Sequence, residues 1–346
     1  MEKVDLKSMD LKEIELFLAE LGEPKFRSKQ LFQWIHQKQV LSFDEMTNLS
    51  KSLRDKLQHN ATIGVVEVVR RLVSEIDGTR KYLFALENES VIESVLMKYE
   101  HGNTVCISTQ AGCRMGCKFC ASTIDGVERN LSAAEMLSQV YEIQKDCGER
   151  IHGVVLMGSG EPLDNYESVV KFIRLINDSE GQNMGQRHIT LSTCGLTEKM
   201  NRLKKEHLQI TLAVSLHAPN DEIRRKIMPV AKGNPMEELL ATCFDYTEQT
   251  KRRITFEYAM MQGVNDSDAC AKELALKLRH MLCHVNLIPI NDVKEVDYMK
   301  SSNDRVKRFA AILQENGVET TIRRKLGTDI DAACGQLRRS HLKDKR

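Results

Sequence analysis

The sequence predicts an α/β protein in which a parallel sheet, covered by helices and curled into an incomplete barrel, follows a smaller α+β region. Three observations lead there. Hydrophobic periodicity changes near residue 100, from three- and four-residue spacing to short β-rich runs. Six strand-plus-helix units then follow one another, and parallel strands need such crossovers to return to the same edge of a sheet. Motifs rich in Cys, Gly, Ser, Glu and His fall just after those strands, on the rim where parallel α/β folds carry their chemistry.

Taken in order, "LKEIELFLAEL" and "FRSKQLFQWI" place apolar residues at helical spacing, giving helices over 9–21 and 26–37, with a third over 43–58. Next, "VVRRLVSEIDGTRKYLFAL" sets Asp77-Gly78 between two alternating runs, a hairpin signal because Gly tolerates the positive φ of a tight turn. From residue 104 the strands are "TVCIST", "GVVLMG", "HITLST", "ITLAVSLH", "RITFEYAM" and "HVNLIP". Helices follow them near 132–146, 166–177, 196–205, 236–250, 267–281 and 303–316, and "ETTIRRK" is a last strand. The expected division is an accessory domain over 1–95, a barrel over 96–330 and a C-terminal loop with a basic tail over 331–346.

Composition excludes several classes. At 346 residues, 41% hydrophobic and 29% charged, the chain is long enough for a sizeable core. Its start has acidic residues and no apolar stretch of the signal-peptide kind, and no run approaches a membrane span, so a cytoplasmic protein is expected. Ten cysteines in that compartment point to metal or redox chemistry rather than structural disulfides. A net charge of +1 says little about partners; a polyanion would need local patches, and the candidates are 224–226, 251–253, 323–325 and the tail "RRSHLKDKR".

The sharpest motif is "QAGCRMGCKFCAS", in which Cys113, Cys117 and Cys120 stand four and then three positions apart. A structural zinc site would use four ligands, usually in two Cys-x-x-Cys-like pairs, and the chain offers no second pair. The fourth ligand of such a site is therefore unaccounted for. On the same rim, "GSGEP" supplies a glycine-rich turn with Glu161 as an acceptor for an ammonium group. Ser192, Ser215, His217 and Asn291 are polar groups able to bond a ribose, a carboxylate or an adenine, although His217 equally suits a packing role. Near the C-terminus, "GTDIDAACGQL" sets Cys334 among small residues that a bulky partner can approach. Cys106 is its candidate companion, with a buried-strand cysteine as the plain alternative. Cys147, Cys194, Cys243, Cys270 and Cys283 read as ordinary packing residues.

These motifs resemble the RlmN/Cfr family of radical SAM RNA methylases, and its adenine-C2 branch most closely. The resemblance rests on "CISTQAGCRMGCKFC", "MGSGEPL", "TLSTCG", "SLHAPND", "NLIPIN" and "GTDIDAACGQL" and extends over nearly the whole chain. It implies a partial (βα)6 radical SAM barrel behind an RNA-binding accessory domain, with a [4Fe–4S] cluster on Cys113, Cys117 and Cys120. S-adenosylmethionine would fill the open iron and meet Gly160, Glu161, Ser192, Ser215, Leu216, His217 and Asn291. The implied substrates are adenosine 2503 of 23S rRNA and adenosine 37 of some tRNAs. Flavodoxin or ferredoxin would be the electron donor, and the protein a monomer.

The same resemblance makes Cys334 the methyl carrier, Cys106 its disulfide-forming partner and Glu93, in "VIESVLMKY", the match to the family's proposed proton acceptor, with Cys106 the other candidate for taking the C2 proton. Cys334 would take a methyl from one S-adenosylmethionine, and a second would be cleaved reductively to the 5′-deoxyadenosyl radical. That radical removes hydrogen from the methylthio group, whose carbon then adds to the electron-poor C2. The covalent adduct resolves when the C2 proton leaves and Cys106 displaces Cys334. Three alternatives stand beside this reading. One is a C8-methylating enzyme of the same family conferring antibiotic resistance. Another is a different radical SAM enzyme, which would not need the Cys106 and Cys334 pair. The third is a non-catalytic metalloprotein that binds RNA. Aromatic residues are only 5% of the chain, which gives little support to a base-stacking platform, so RNA as substrate rests on the resemblance.

Overall fold

The computed structural model describes residues 3–87, 89–290, 298–330, 337–338 and 341. The chain opens with β1 (Val4–Asp5) and a 3-10 turn, then α1 (Leu11–Glu20), α2 (Phe26–His36) and α3 (Lys51–Asn60). Asp10 starts α1 through a capping box with Glu13, satisfying backbone N–H groups that the first turn leaves unpaired. The expected helix over 43–58 is in fact two pieces. A 3-10 turn at Phe43–Glu45 stops, and Ser50 starts α3 by accepting from the Leu53 N–H. Apolar spacing bridges that break, whereas the serine oxygen defines it.

After β2 (Ala61–Thr62), which pairs with β1, come β3 (Glu67–Val73), β4 (Arg80–Ala85), β5 (Val91–Tyr99) and β6 (Gly102–Cys106). The predicted hairpin is β3–β4, with Gly78 at φ +71° in its turn. A small antiparallel pair, β7 (Gln110–Gly112) and β8 (Val127–Asn130), encloses the cysteine motif. The repeating units are α4 (Ala133–Cys147), β9 (Ile151–Leu156), α5 (Tyr166–Asn177), β10 (Ile189–Thr193), α6 (Thr197–Leu203) and β11 (Thr211–Ser215). Then come a short α7 (Asp221–Ile227), α8 (Met236–Thr250), β12 (Ile254–Met260), α9 (Asp268–Leu278), β13 (Cys283–Pro289), α10 (Asn303–Glu315) and β14 (Thr320–Ile322).

One ten-stranded sheet runs β14-β13-β12-β11-β10-β9-β6-β5-β4-β3. Pairing is parallel from β6 through β14 and antiparallel from β6 back to β3. The six predicted barrel strands and the last strand are all present in sequence order. Residue 95 lies inside β5 and pairs with Cys106 of β6, so the sheet is continuous through the point where the sequence suggested a domain boundary. Central strands are apolar on both faces, as Leu212, Ala213 and Val214 illustrate, because helices cover one face and the barrel interior the other. In α5, Val169, Phe172, Ile173 and Ile176 form the buried stripe, each worth about 1.5–3 kcal/mol of apolar burial. The N-terminal helices are fastened to this body: Lys7 Nζ donates to Ser138 Oγ at 2.8 Å, and Lys171 pairs with Glu13 at 2.8 Å.

Candidate active site

The cysteine loop is built as a closed excursion from the sheet. Gly112 sits at φ +82°, and the Cys113 N–H donates to Gly126 O at 2.8 Å, pinning the start of the loop to its end. Inside, the Cys120 N–H donates to Cys117 O at 3.1 Å and Thr123 Oγ1 donates to the carbonyls of both residues at 2.9 Å. The Lys118 N–H donates to Ile227 O at 2.9 Å, tying the loop to the end of α7.

The glycines of the "GSGEP" turn allow close packing within the protein. A Cβ at Gly158 would meet Ile107 O at 2.6 Å, and one at Gly160 would meet Gln110 N at 2.8 Å, so the close approach is to the protein's own backbone. The Thr109 and Gln110 N–H groups donate to Ser159 O, the Gly158 N–H to Ile107 O, and the Ser159 N–H to Ser108 Oγ. This strap locks the end of β9 to the segment that carries the thiols. Gln110, fully buried, is its centre: Oε1 accepts from the Glu161 N–H at 2.8 Å, and Nε2 donates to Asn130 and Asp164. Gln110 is not among the candidate site residues named from the sequence, although a glutamine within the short buried β7 is a visible signal.

Glu161 is 3% exposed and accepts from the Leu163 N–H at 3.0 Å and the Cys194 N–H at 2.7 Å. Burial pushes its carboxyl above the usual range, while those bonds pull it back. His217 follows β11 at φ +57°, an uncommon conformation outside glycine, and its carbonyl accepts from Asn265 Nδ2 at 2.8 Å. Its Nδ1 accepts from the Ala259 N–H at 2.9 Å, which places the ring proton on Nε2. Burial, helped by the Arg224 charge, lowers its pKa to about 3, so it acts as a neutral donor. Phe119 of the cysteine loop meets the ring edge-on at 4.9 Å. Ser192 and Ser215 are half-buried on β10 and β11, Leu216 is fully buried, and Asn291 lies outside the described residues.

A second cluster lies on the antiparallel side. Glu93 on β5, 4% exposed, has Lys81 Nζ at 3.2 Å and accepts from the Arg338 N–H. Val95 pairs with both Lys81 and Cys106, so Lys81, Glu93 and Cys106 project from one face of the sheet. Leu337 packs on Leu72, Leu83 and Val91 beside them. Cys334 lies outside the described residues, but its nearest described neighbours in sequence, Leu337 and Arg338, are anchored on this face.

The basic runs fare less well as interfaces. Arg224 is fully buried; Arg225 and Lys226 pair within their own helix with Asp221 and Glu222. Lys251 and Arg253 pair with Glu248 and Glu319, and Arg338 is buried against Glu128. Cys194, expected to be a plain packing residue, lies beside the motif thiols and feels the charges of Cys117, Cys113 and Glu161.

Among the described residues no group of three His, Cys, Asp or Glu side chains is already closed around a metal-sized point. What fits a metal group is the donor chemistry. Cys113 and Cys117 sense each other and Cys120; burial first, then those neighbouring charges, push Cys113 up to about 12 and Cys117 higher still. Such thiols hold their protons unless a cationic centre stabilises the thiolates. Three soft sulfur donors in one loop match an iron–sulfur group with an open position.

Residues 107–274 match the model of the radical SAM superfamily, and residues 4–63 that of the ribosomal RNA large subunit methyltransferase N-terminal domain. A radical SAM methyltransferase from Sphaerobacter thermophilus superposes with a TM-score of 0.92 at 43% identity, covering 96% of this chain and 98% of that one. The fold and site are therefore those of the radical SAM enzymes, which use a [4Fe–4S] cluster and S-adenosylmethionine. Among curated relatives, "Probable dual-specificity RNA methyltransferase RlmN" of Alkaliphilus oremlandii is 56% identical, over 99% of this chain and 100% of its own length. The protein of the same name from Clostridium novyi is 54% identical, over 96% and 97%. The chain belongs to the RlmN family.

Proposed function

We propose that this enzyme methylates C2 of adenosine 2503 in 23S rRNA and of adenosine 37 in tRNA, with Cys334 as methyl carrier. The observation that carries the reading is the shared sheet face of Glu93, Cys106 and the anchored residues Leu337 and Arg338. Adenine C2 is electron-poor and the methyl of S-adenosylmethionine is itself an electrophile, so a thiol carrier and a radical step are both needed. Cys113, Cys117 and Cys120 would hold the cluster, which with S-adenosylmethionine bound supplies the 5′-deoxyadenosyl radical. Gly160, Glu161, Ser192, Ser215, Leu216, His217 and Asn291 would hold S-adenosylmethionine, His217 donating from Nε2. Glu93 takes the C2 proton, with Lys81 holding its carboxylate in place. Once the adduct has given up that proton and its unpaired electron, for which the cluster would be the acceptor, the Cys106 thiolate would attack the Cys334 sulfur. The S–S bond forms, the S–CH2 bond breaks, and the carbon takes up a proton to complete the methyl of the released RNA. The matched segment over 4–63 serves as the RNA-binding accessory part. A low-potential flavodoxin or ferredoxin supplies electrons to a monomeric, cytoplasmic enzyme; among the described residues no helix is long and apolar enough to cross a membrane.

The test is incubation of anaerobically reconstituted protein with S-adenosylmethionine, reductant and rRNA or tRNA, followed by chromatography and mass spectrometry of nucleosides. A product running with 2-methyladenosine is expected; one running only with 8-methyladenosine would overturn the C2 assignment. Cys106→Ala is expected to accumulate RNA joined to Cys334, seen as a shifted band that nuclease collapses. Normal turnover by that variant would remove Cys106 from the mechanism.

A further inference from the structure

Arg224 is the largest fully buried side chain described, and it forms no ion pair among the described residues. Its Nη2 donates to Cys194 O at 2.7 Å, its Nη1 donates to Asn234 O at 3.0 Å, and its Nε is buried with no partner among the described residues. Burying a guanidinium with no carboxylate bonded to it costs free energy, and Asp221, earlier on the same helix, acts on Arg224 only through space. A fold that needed only two carbonyls satisfied would not require a permanent charge.

The surroundings indicate what the charge faces. Cys194 takes Arg224 on its carbonyl while its N–H donates to the buried Glu161 carboxylate, so one residue's backbone stands between opposite charges. Ile227, one turn beyond Arg224 on α7, accepts from the Lys118 N–H of the cysteine loop. Cys117, Phe119, Cys194, Ile227 and Met228 share one apolar cluster beside it. Burial most disfavours the Cys117 thiolate, the neighbouring thiols and Glu161 add to that, and Arg224 is the nearby cation that opposes them.

We propose that Arg224 is a positioning residue whose fixed positive charge stabilises the reduced form of the group bound through Cys117. This rests on the reading of Cys113, Cys117 and Cys120 as cluster ligands. Each electron accepted adds one unit of negative charge to a thiolate-bound centre, and reduction potential follows net charge, hydrogen bonding and solvent exposure around the sulfurs. In this low-dielectric floor the guanidinium is weakly screened, so removing it makes reduction harder.

The experiment is an anaerobic, dithionite-driven redox titration of the reconstituted enzyme followed by electron paramagnetic resonance, with iron content measured in parallel. Arg224→Gln keeps hydrogen-bond donors and loses the charge; Arg224→Lys keeps the charge in a different shape. The expected result is a midpoint more negative for Gln at wild-type iron content, with Lys staying near wild type. An unchanged Gln midpoint, or Gln and Lys displaced equally, would overturn the proposal, since a purely packing role moves both variants alike. If Gln does not retain iron, the Lys variant decides alone: a midpoint near wild type supports the proposal, and a markedly more negative one overturns it. Wild-type protein that takes up no iron would instead bring down the cluster reading.

Discussion

Replacing Gly160 by Ala tests the strap that holds the site together. The residue sits at φ +106°, beyond the left-handed region that even asparagine visits, and a new Cβ would lie 2.7 Å from Gln110 Cβ and 2.8 Å from Gln110 N. The backbone conformation alone costs about 1–3 kcal/mol for a non-glycine residue. Relief requires moving Gln110, which loosens its N–H bond to Ser159 O at 3.1 Å and the Glu161 N–H bond to its Oε1 at 2.8 Å. At about 1 kcal/mol each, these bring the total to about 3–5 kcal/mol. That is a large share of a typical stability of about 5–15 kcal/mol. The control is Gly263→Ala, at φ +68° with nothing within 4 Å of the new methyl, which should cost only about 1–2 kcal/mol. Urea unfolding of both variants under reducing conditions gives the comparison. A midpoint shift for Gly160→Ala no greater than that of the control would refute the strap.

Three further outcomes are expected. Alanine at Cys113, Cys117 or Cys120 should yield colourless protein without stoichiometric iron while Cys283→Ala stays brown, as anaerobic iron and absorbance measurements show. Lys81→Met removes the buried ammonium 3.2 Å from Glu93 and should lower stability by about 3–5 kcal/mol, part of which Lys81→Met with Glu93→Gln restores in a denaturation series. His36, fully buried, has its pKa lowered from 6.5 to about 3 by burial, with the Lys7 charge adding to it. The unfolded chain therefore takes up this proton first: the stabilising contribution is complete above the unfolded value and is lost as pH falls toward the folded one. His36→Gln should flatten the pH dependence of stability in that window by about 1.4 kcal/mol per pH unit, and an unchanged slope in urea midpoints would contradict it.

The barrel strands were legible because each is a short β-rich run followed by a helix of clear period, as in "GVVLMG" before α5. The cysteine motif stands out in the sequence by its spacing and by its place after the first parallel strand. Less visible was whatever depended on one atom or on distant pairing. Ser50 breaks the third helix through a single oxygen, and apolar spacing does not register it. The run at 224–226 reads as a basic patch until α7 turns Arg224 inward, because three consecutive positions of a helix face three directions. The short strands β7 and β8 offer too few residues for a period, and their pairing spans the whole cysteine loop. Glu93 stood out only through the family resemblance, since nothing in its local pattern shows Lys81 across the sheet or the N–H of residue 338 beside it.

The bond from the Arg338 N–H to Glu93 joins positions 245 apart. A contact of that span closes a very long loop, whose entropy is lost before the contact can repay it. Domains fold from the N-terminus as they emerge from the ribosome, so β5 and β6 are translated long before the residues that dock on them. The face bearing Glu93 and Cys106 therefore waits for residues 337 and 338. A chain stopped before them could bury much of the barrel core and still lack this bond and the Leu337 contact.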